Sequence, residues 1–402
     1  MNPESKLRVR RLLACASVCA ATVLVLACGG GSGEPGIARL SAASPGKLSH
    51  CTALATSFSY PGISITSAQL MAEGSVTSVA NSVTLAQPAH CLLRGTTPTR
   101  TGADGKPYAI GFEMRLPENW NGRFFHQVNG GAGGSIDEDG PFSSTRAFGQ
   151  KLGGSPESNA LMDGFAVLSS DAGHKPDTSY PVDPDTGLSI QSVVFGLDPQ
   201  ARRDFGYNMV AVLTPVAKDI IRAAYGRGPD RSYMAGCSNG GRHAMVAAAR
   251  FASDYDGILA GAPGFNLPKA VVAEMWDSQK LMSIAKATDP ITNRPAIWSS
   301  FSDNDLKLVS SKVLARCDAL DGVADGMIAD VSACQSAFSL ERDVPACAAG
   351  AAPDGSCLSP PQKAVLADIL RGPRDSKGNA LYADWPVDSA FGTEGWRIWK
   401  TG

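Results

Sequence analysis

Arg231 to Ala249 reads R-S-Y-M-A-G-C-S-N-G-G-R-H-A-M-V-A-A-A. It contains Gly236-Cys237-Ser238-Asn239-Gly240, a G-x-S-x-G pentapeptide. Ser232 to Ala235 reads as a short buried strand, and Arg242 to Phe251, rich in Ala, Met and Val, as a helix. A strand-to-helix turn this tight crowds the backbone around the serine. Glycines two residues to either side remove the clashing Cβ atoms. The Ser238 hydroxyl is then held at the head of a helix, where backbone N–H groups and the positive dipole end favour a developing oxyanion. An ordinary turn is the competing reading in a chain rich in Gly, Ala and Ser. The strand-turn-helix context favours a nucleophile elbow.

Outward from the elbow, Asp256 to Ala262 reads as a buried strand closed by Pro263. Asp198 to Tyr225 reads as a long helix interrupted at Pro215. Gly164 to Ser170 is a buried strand that ends in Asp171-Ala172-Gly173-His174. Tyr108 to Leu116 is a strand, Pro117 to Gly122 a turn, and Arg123 to Val128 a second strand. Asn129 to Ser135 (N-G-G-A-G-G-S) follows it directly. Two readings of this run stay open: a flexible loop, or a backbone free to bring N–H groups close to a reacting oxygen. Strands alternating with helices argue an α/β sheet that is mostly parallel. After Pro263 the rhythm stops. Loops, short helices, Trp276, Trp298 and four cysteines read as a lid or inserted domain, with no internal repeat.

With 402 residues, 43 Gly and 26 Pro, the chain has room for a large core and many loops. A formal charge of −2 gives no reason to expect nucleic acid or an acidic membrane surface as partner. The N-terminus is a targeting segment: Lys6, Arg8, Arg10 and Arg11 precede an apolar run from Leu12 to Ala27. Val25-Leu26-Ala27-Cys28, followed by a Gly/Ser tether, resembles a bacterial lipoprotein signal with Cys28 acylated. Cleavage and simple secretion is the other reading. On both readings the protein is exported, as a periplasmic or outer-membrane-anchored lipoprotein or else secreted, and meets a membrane only through an anchor at Cys28. The expected organisation is a signal at 1–28, a tether at 29–48, a core at 49–263 and a lid at 264–402.

Export permits disulfides. Once Cys15 and Cys19 leave with the signal and Cys28 is capped, seven cysteines remain, an odd number. Cys317, Cys334, Cys347 and Cys357 suggest two local staples, and Cys51 with Cys91 could close the N-terminal segment. Cys237 is left over beside the nucleophile.

Ser238 needs a base, which an α/β hydrolase places after it in the chain. The histidines are His50, His90, His126, His174 and His243, and His243 alone follows the serine, on the elbow helix. His174 reads as a structural hydrogen-bonding residue, with a substitute base as the other reading, and His126, beside the glycine run, as a weaker candidate base still. A second chemical signal is Cys317 to Met327, C-D-A-L-D-G-V-A-D-G-M. Its carboxylates and interleaved carbonyls are hard oxygen donors suited to Ca²⁺; a solvated acidic loop is the alternative.

Several segments together resemble the tannase/feruloyl esterase family, especially its exported bacterial members. They are Pro117 to Phe125 (P-E-N-W-N-G-R-F-F), Val194 to Arg202, Gly236 to Arg242, Phe251 to Gly264 and Cys317 to Gly326. The resemblance implies an α/β-hydrolase core with a large inserted lid, the C-terminal part of lid and core missing from this chain. It implies a serine esterase of aromatic-acid esters (feruloyl, galloyl or terephthalate mono-ester type) with no organic cofactor. By the same resemblance Ser238 is the nucleophile and the backbone N–H groups of Asn239 and Gly131 form the oxyanion hole. Asp318, Asp321 and Asp325, with the carbonyls of Val323 and Met327, bind a structural Ca²⁺. The implied disulfides are Cys51–Cys91, Cys317–Cys334 and Cys347–Cys357. The family's triad Asp and His, and a partner for Cys237, are expected beyond Gly402, so residues 1–402 alone are expected to be inactive. Asn239 after the serine is the residue of ordinary feruloyl esterases, which puts terephthalate mono-ester specificity in doubt. A non-catalytic exported lipoprotein that binds calcium or aromatic ligands is the alternative function.

Overall fold

The computed structural model describes residues 41–77, 84–136, 146–151, 158–181, 190–290 and 293–400. The signal segment, Cys28 and most of the tether lie outside them. Among the described residues no helix is long and apolar enough to cross a membrane. The chain divides between Ser44 and Pro45, and the rest concerns the unit from Pro45 onward. Gly46–Lys47 already pairs antiparallel with Asn119–Trp120, inside the segment read as a turn.

A seven-stranded sheet carries the fold. Its strands are β1 (Ser64–Met71), β2 (His90–Thr96), β3 (Gly111–Pro117), β4 (Arg123–Gln127), β5 (Ala166–Ser170), β6 (Arg231–Cys237) and β7 (Gly257–Gly261). The order across the sheet is β7-β6-β4-β5-β3-β2-β1. β7, β6, β4 and β5 pair in parallel, whereas β5 with β3, β3 with β2 and β2 with β1 are antiparallel. The expectation of a mostly parallel sheet therefore holds for half of it. β7 was expected to be buried. It is a sheet edge in the described structure, and Leu259 is half exposed there.

The helix α1 (Met209–Tyr225) covers one face of the sheet. It buries Met209, Val210, Leu213, Val216, Ala217, Ile220, Ile221 and Ala224, the three- and four-residue spacing of an amphipathic helix. Gly226, with φ 78°, closes its C-terminus in the left-handed region. Pro215 lies inside α1 and does not interrupt it. The irregularity falls earlier, at a π-helical turn over Asp204–Asn208 that joins α1 to the short helix Pro199–Arg203. Asp198 caps that short helix through Ala201 N, and Arg100 Nη2 donates to the same carboxylate at 2.6 Å. The Arg100 bond is the chief reason that the Asp198 pKa is driven far down.

The helix α2 (Asn239–Arg250) begins at the end of β6. Beyond β7, α3 (Leu267–Met282), α4 (Asp303–Cys317), α5 (Pro360–Arg371) and α6 (Glu394–Lys400) follow. They pack around a hydrophobic cluster of their own, in which Phe301, Leu306, Val309, Val313, Leu358, Leu366 and Phe391 are buried. Capping boxes fix the starts of α4 at Ser302 and of α5 at Ser359. Lys400 on α6 reaches Asp277 on α3 at 2.9 Å and ties the last helix to the first of this group.

The Cys51–Cys91, Cys317–Cys334 and Cys347–Cys357 disulfides are all present. Cys237 is free and exposed.

On the other face of the sheet, Glu113 of β3 is fully buried among charges. It accepts from Arg94 Nη2 at 2.9 Å and Arg115 Nε at 3.0 Å, and from the amide of Ala147. Arg115 also donates to His90 Nε2 at 2.8 Å and lies over the Phe148 ring. Removing the acid takes the counter-charge from the buried Arg115 guanidinium. Glu113→Ala is therefore expected to cost about 3–5 kcal/mol, read as the loss of unfolding free energy in urea titrations. A loss below about 1 kcal/mol would mean that Arg94 and Arg115 are solvated in the native state.

Candidate active site

The C-terminal ends of β4, β5, β6 and β7 converge on Ser238. Ser238 has φ 59° and ψ −118°, a backbone that L-residues with a Cβ rarely adopt. Its own amide donates to Gly261 O at 3.0 Å, and its carbonyl accepts from Gly264 N and from Arg242 N. These bonds hold the strained residue between β7 and the first turn of α2. The side chain is exposed.

Three glycines make the turn possible. A Cβ on Gly240 would stand 2.2 Å from Val128 O, and one on Gly241 would stand 2.4 Å from Gly261 O. One on Gly236 would meet both Gly240 C and Val128 O at 2.6 Å. Each contact is with backbone, which cannot step aside as a side chain can. The elbow helix is thus pressed onto the ends of β4 and β7. The same stretch that suggested an elbow from its pattern forms one.

Strain is concentrated at this edge. The described non-glycine residues with positive φ are Ala172, Ser238, Ala262, Asn266 and Asn293. The first four follow β5, β6 and β7, and the distribution is that of a functional edge.

Asn239 occupies the first position of α2. Its Oδ1 accepts from Arg242 Nε at 2.7 Å, and its Nδ2 donates to Asn129 O at 3.4 Å. Arg242 in turn donates to the carbonyls of Phe205 and Gly206, each at 3.0 Å. The π-helical turn thus leaves carbonyls available to hold the arginine that orders the elbow. Sequence reading missed Arg242, although it directly follows the two glycines of the motif.

The glycine run lies directly against the elbow. A Cβ on Gly130 would be 3.3 Å from Cys237 O and 3.8 Å from Ser238 Cβ. Gly131 has φ 66° and open space where its side chain would be. Asn129 anchors the run to β5 by donating to Ser169 Oγ at 2.9 Å and Ser170 O at 3.2 Å. The loop is thus tied down, so of the two readings the flexible one is not what the structure holds. The run thus passes beside the elbow, Gly130 nearest to Ser238 and Asn129 bonded to the Asn239 side chain.

No hydrogen bond joins Ser238 to a histidine among the described residues. His126 Nδ1 bonds Tyr255 Oη at 2.9 Å, His90 Nδ1 bonds Pro88 O at 2.7 Å, and His243 Nε2 accepts from Arg242. His50 sits at the other side, its amide on Ala224 O. The ring of His174 lies against the backbone of Ala132, Ala172 and Ser192. It is held by stacking on Phe195, with centroids 3.8 Å apart, and by an edge contact with Phe205. Burial pushes its pKa down to about 4 and that of His126 to about 3. Burial also pulls His243 well down. These rings are neutral struts of the core.

The acidic loop folds on its own backbone. Asp318 Oδ1 accepts from the amides of Asp325 and Gly326, Asp321 from those of Val323 and Ala329, and Asp325 from that of Met327. Gly322 and Gly326 turn the chain with φ 96° and 82°. Among the described residues the acidic side chains do not gather into a group that could hold a metal.

A family model described as tannase and feruloyl esterase matches residues 93–400. A mono(2-hydroxyethyl) terephthalate hydrolase of Piscinibacter sakaiensis is 41% identical over 334 residues, which cover 79% of this chain and 52% of that protein. A probable feruloyl esterase B-1 of Neosartorya fischeri is 28% identical over 270 residues, 67% of this chain and 43% of that one. Among solved structures, feruloyl esterase B from Aspergillus oryzae superposes with a TM-score of 0.60 at 22% identity, covering 83% of this chain and 58% of the other. Tannin acyl hydrolase from Aspergillus niger gives a TM-score of 0.51 at 20% identity, covering 82% and 55%. The chain spans about half the length of the curated relatives it matches. The two solved structures bear on the fold.

The histidine burial sets a pH dependence. A buried neutral His with a folded pKa near 4 binds fewer protons than the unfolded chain, whose His titrates near 6.5. Its contribution is intact above about pH 6.5 and is lost as pH falls toward 4. Burial raises the Asp171 pKa to about 7, which acts in the opposite sense over the same range. The comparison of His174→Phe with the parent isolates the histidine. The variant keeps the ring stack, and its Tm advantage should grow as pH is lowered from 7.5 to 5. An advantage independent of pH would show that His174 is not held neutral.

Proposed function

As the chain belongs to the tannase and feruloyl esterase family, we propose that it is a serine carboxylic ester hydrolase acting on small esters of aromatic acids. The observation that carries this reading is the exposed Ser238, held in the left-handed region at the head of α2. In this reading Ser238 Oγ attacks the ester carbonyl carbon. The carbonyl oxygen becomes an oxyanion that accepts from the backbone N–H groups of Asn239 and Gly131. The serine proton passes to a histidine oriented by an aspartate, and from there to the departing alcohol. Water then releases the aromatic acid from the acyl-enzyme. The buried rings of His90, His126, His174 and His243 are engaged elsewhere and do not fill the role of that base. The names of the relatives support aromatic esters as the substrate class, with feruloyl and terephthalate mono-esters the first to try.

Full-length enzyme is expected to turn over methyl ferulate or mono(2-hydroxyethyl) terephthalate. Ser238→Ala is expected to lower kcat by a factor on the order of 10⁴ or more with the fold intact. Turnover that survives Ser238→Ala would sink the reading.

We further propose that the loop from Asp318 to Met327 takes a structural Ca²⁺, its carboxylates turning from the loop's own amides to the ion. The support is chemical: three carboxylates and the carbonyls of Val323 and Met327 are hard oxygen donors, set between turns at Gly322 and Gly326. Calorimetric titration of the metal-stripped full-length protein with CaCl₂ should give a heat of binding that Asp321→Ala removes. Equal affinity in the variant would remove the site from consideration. The N-terminal reading, an exported protein anchored through Cys28 or simply cleaved, also stands as a proposal.

A further inference from the structure

The glycine loop that carries Gly131 needs a rigid seat, because its own residues offer no side chains to pack. The structure provides one in the turn after β5. Gly134 N donates to Asp171 O at 3.0 Å. A Cβ on Gly133 would touch Asp171 O and Ala172 Cβ at 3.5 Å, and one on Gly134 would stand 3.3 Å from His174 Nε2. The loop therefore lies on Asp171–His174, against the Asp171 carbonyl and the His174 ring.

What holds that turn is the side chain of Asp171, which is 3% exposed. Its Oδ1 accepts from Gly111 N and from Gly173 N, both at 2.9 Å. Its own amide donates to Gly111 O at 3.1 Å. Gly111 is on β3, and its missing side chain makes room for the carboxylate. A Cβ there would be 2.5 Å from Asp171 Oδ2. Gly173, with φ 92°, is pressed against Asp204 of the π-helical turn, where a Cβ would be 2.7 Å from that residue's Cβ. The strained Ala172, φ 57°, sits between these two fixed points.

We propose that Asp171 is a positioning residue for ester hydrolysis: its buried carboxylate clamps the turn after β5 to Gly111 and Gly173 and so fixes the loop that presents the Gly131 N–H. The inference rests on the reading of Gly131 as an oxyanion donor. Asp171 touches neither substrate nor the nucleophile; it acts through the turn. A donor displaced from the oxyanion costs transition-state stabilisation while leaving ground-state binding intact.

The test uses the full-length enzyme with methyl ferulate as substrate, an arylboronic acid as mimic of the tetrahedral adduct, and ferulate as product inhibitor. Asp171→Ala removes the clamp from inside. Gly111→Ala pushes on it from β3, far along the chain from the loop. Each variant is expected to lower kcat about tenfold or more, toward the loss seen when one oxyanion donor is deleted. KM and the ferulate inhibition constant should stay within about twofold, while boronate affinity falls with kcat. Rates are normalised to folded protein, and if Asp171→Ala does not fold, Gly111→Ala decides. Unchanged kcat and boronate affinity in the folded variants would overturn the proposal. So would an equal loss of boronate and ferulate binding, the mark of a general collapse of the pocket. Ser238→Ala run alongside separates the two levels. If that variant is inactive and the clamp variants are normal, the clamp fails and the hydrolase reading stands. If Ser238→Ala is active, the hydrolase reading itself fails.

Discussion

The structure depends on one close approach, that of the first turn of α2 to the end of β4, with the Gly240 backbone against the Val128 carbonyl. No side chain fits between them. A helix seated this deeply leaves the chain one short residue in which to reverse from strand to helix. Ser238 makes that reversal with a left-handed backbone, and its side chain is thrown outward as a result. Exposure of the Ser238 side chain is thus a consequence of helix packing. The bonds from Ser238 to Gly261, Gly264 and Arg242 keep the reversal from relaxing.

The two halves of the sheet divide the work. The parallel half ends in the strained turns and carries the candidate chemistry. The antiparallel half contributes stiffness: β3 brings Phe112, Met114 and Leu116 into one core and Glu113 and Arg115 into a buried ionic group on the other face. Gly111, at the start of β3, is where the halves meet the site, since both its amide and its missing side chain serve Asp171. Burying so many polar groups makes the arrangement intolerant of partial loss.

The elbow was legible because its glycines are forced by geometry, so motif and structure share one cause. Of the antiparallel half, β3 was legible as the strand Tyr108 to Leu116, whereas β2 and β1 were not. β2 reads H-C-L-L-R-G-T, with Cys91, Leu93 and Gly95 buried and Leu92, Arg94 and Thr96 half-buried. His90 and Arg94 are drawn into the Glu113 group, and no alternation survives in the letters. β1 carries an irregularity between Ile65 and Ser67 and exposes Leu70 as an edge, which breaks the two-residue period. Pro215 misled for a different reason. Tertiary packing of α1 outweighs one missing amide, and the helix breaks where Arg242 needs carbonyls instead. His174 also stacks on Phe195, and the sequence carries no local sign of that contact. For the acidic loop, the letters gave donors but could not say whether the carboxylates face an ion or their own amides.

The disulfide pattern has a consequence for biosynthesis. In chain order the described cysteines pair first with second, fourth with fifth and sixth with seventh, and Cys237 is the third. A polypeptide that enters an oxidising compartment N-terminus first can close each bridge with the next cysteine to arrive. The first is complete before the elbow has emerged, and the last two span only 17 and 10 residues. Such a chain needs no reshuffling of bonds, with one hazard. Cys237 arrives unpaired and can capture Cys317 before Cys334 appears, so the interval between Cys317 and Cys334 is when an isomerase or a reductant matters most.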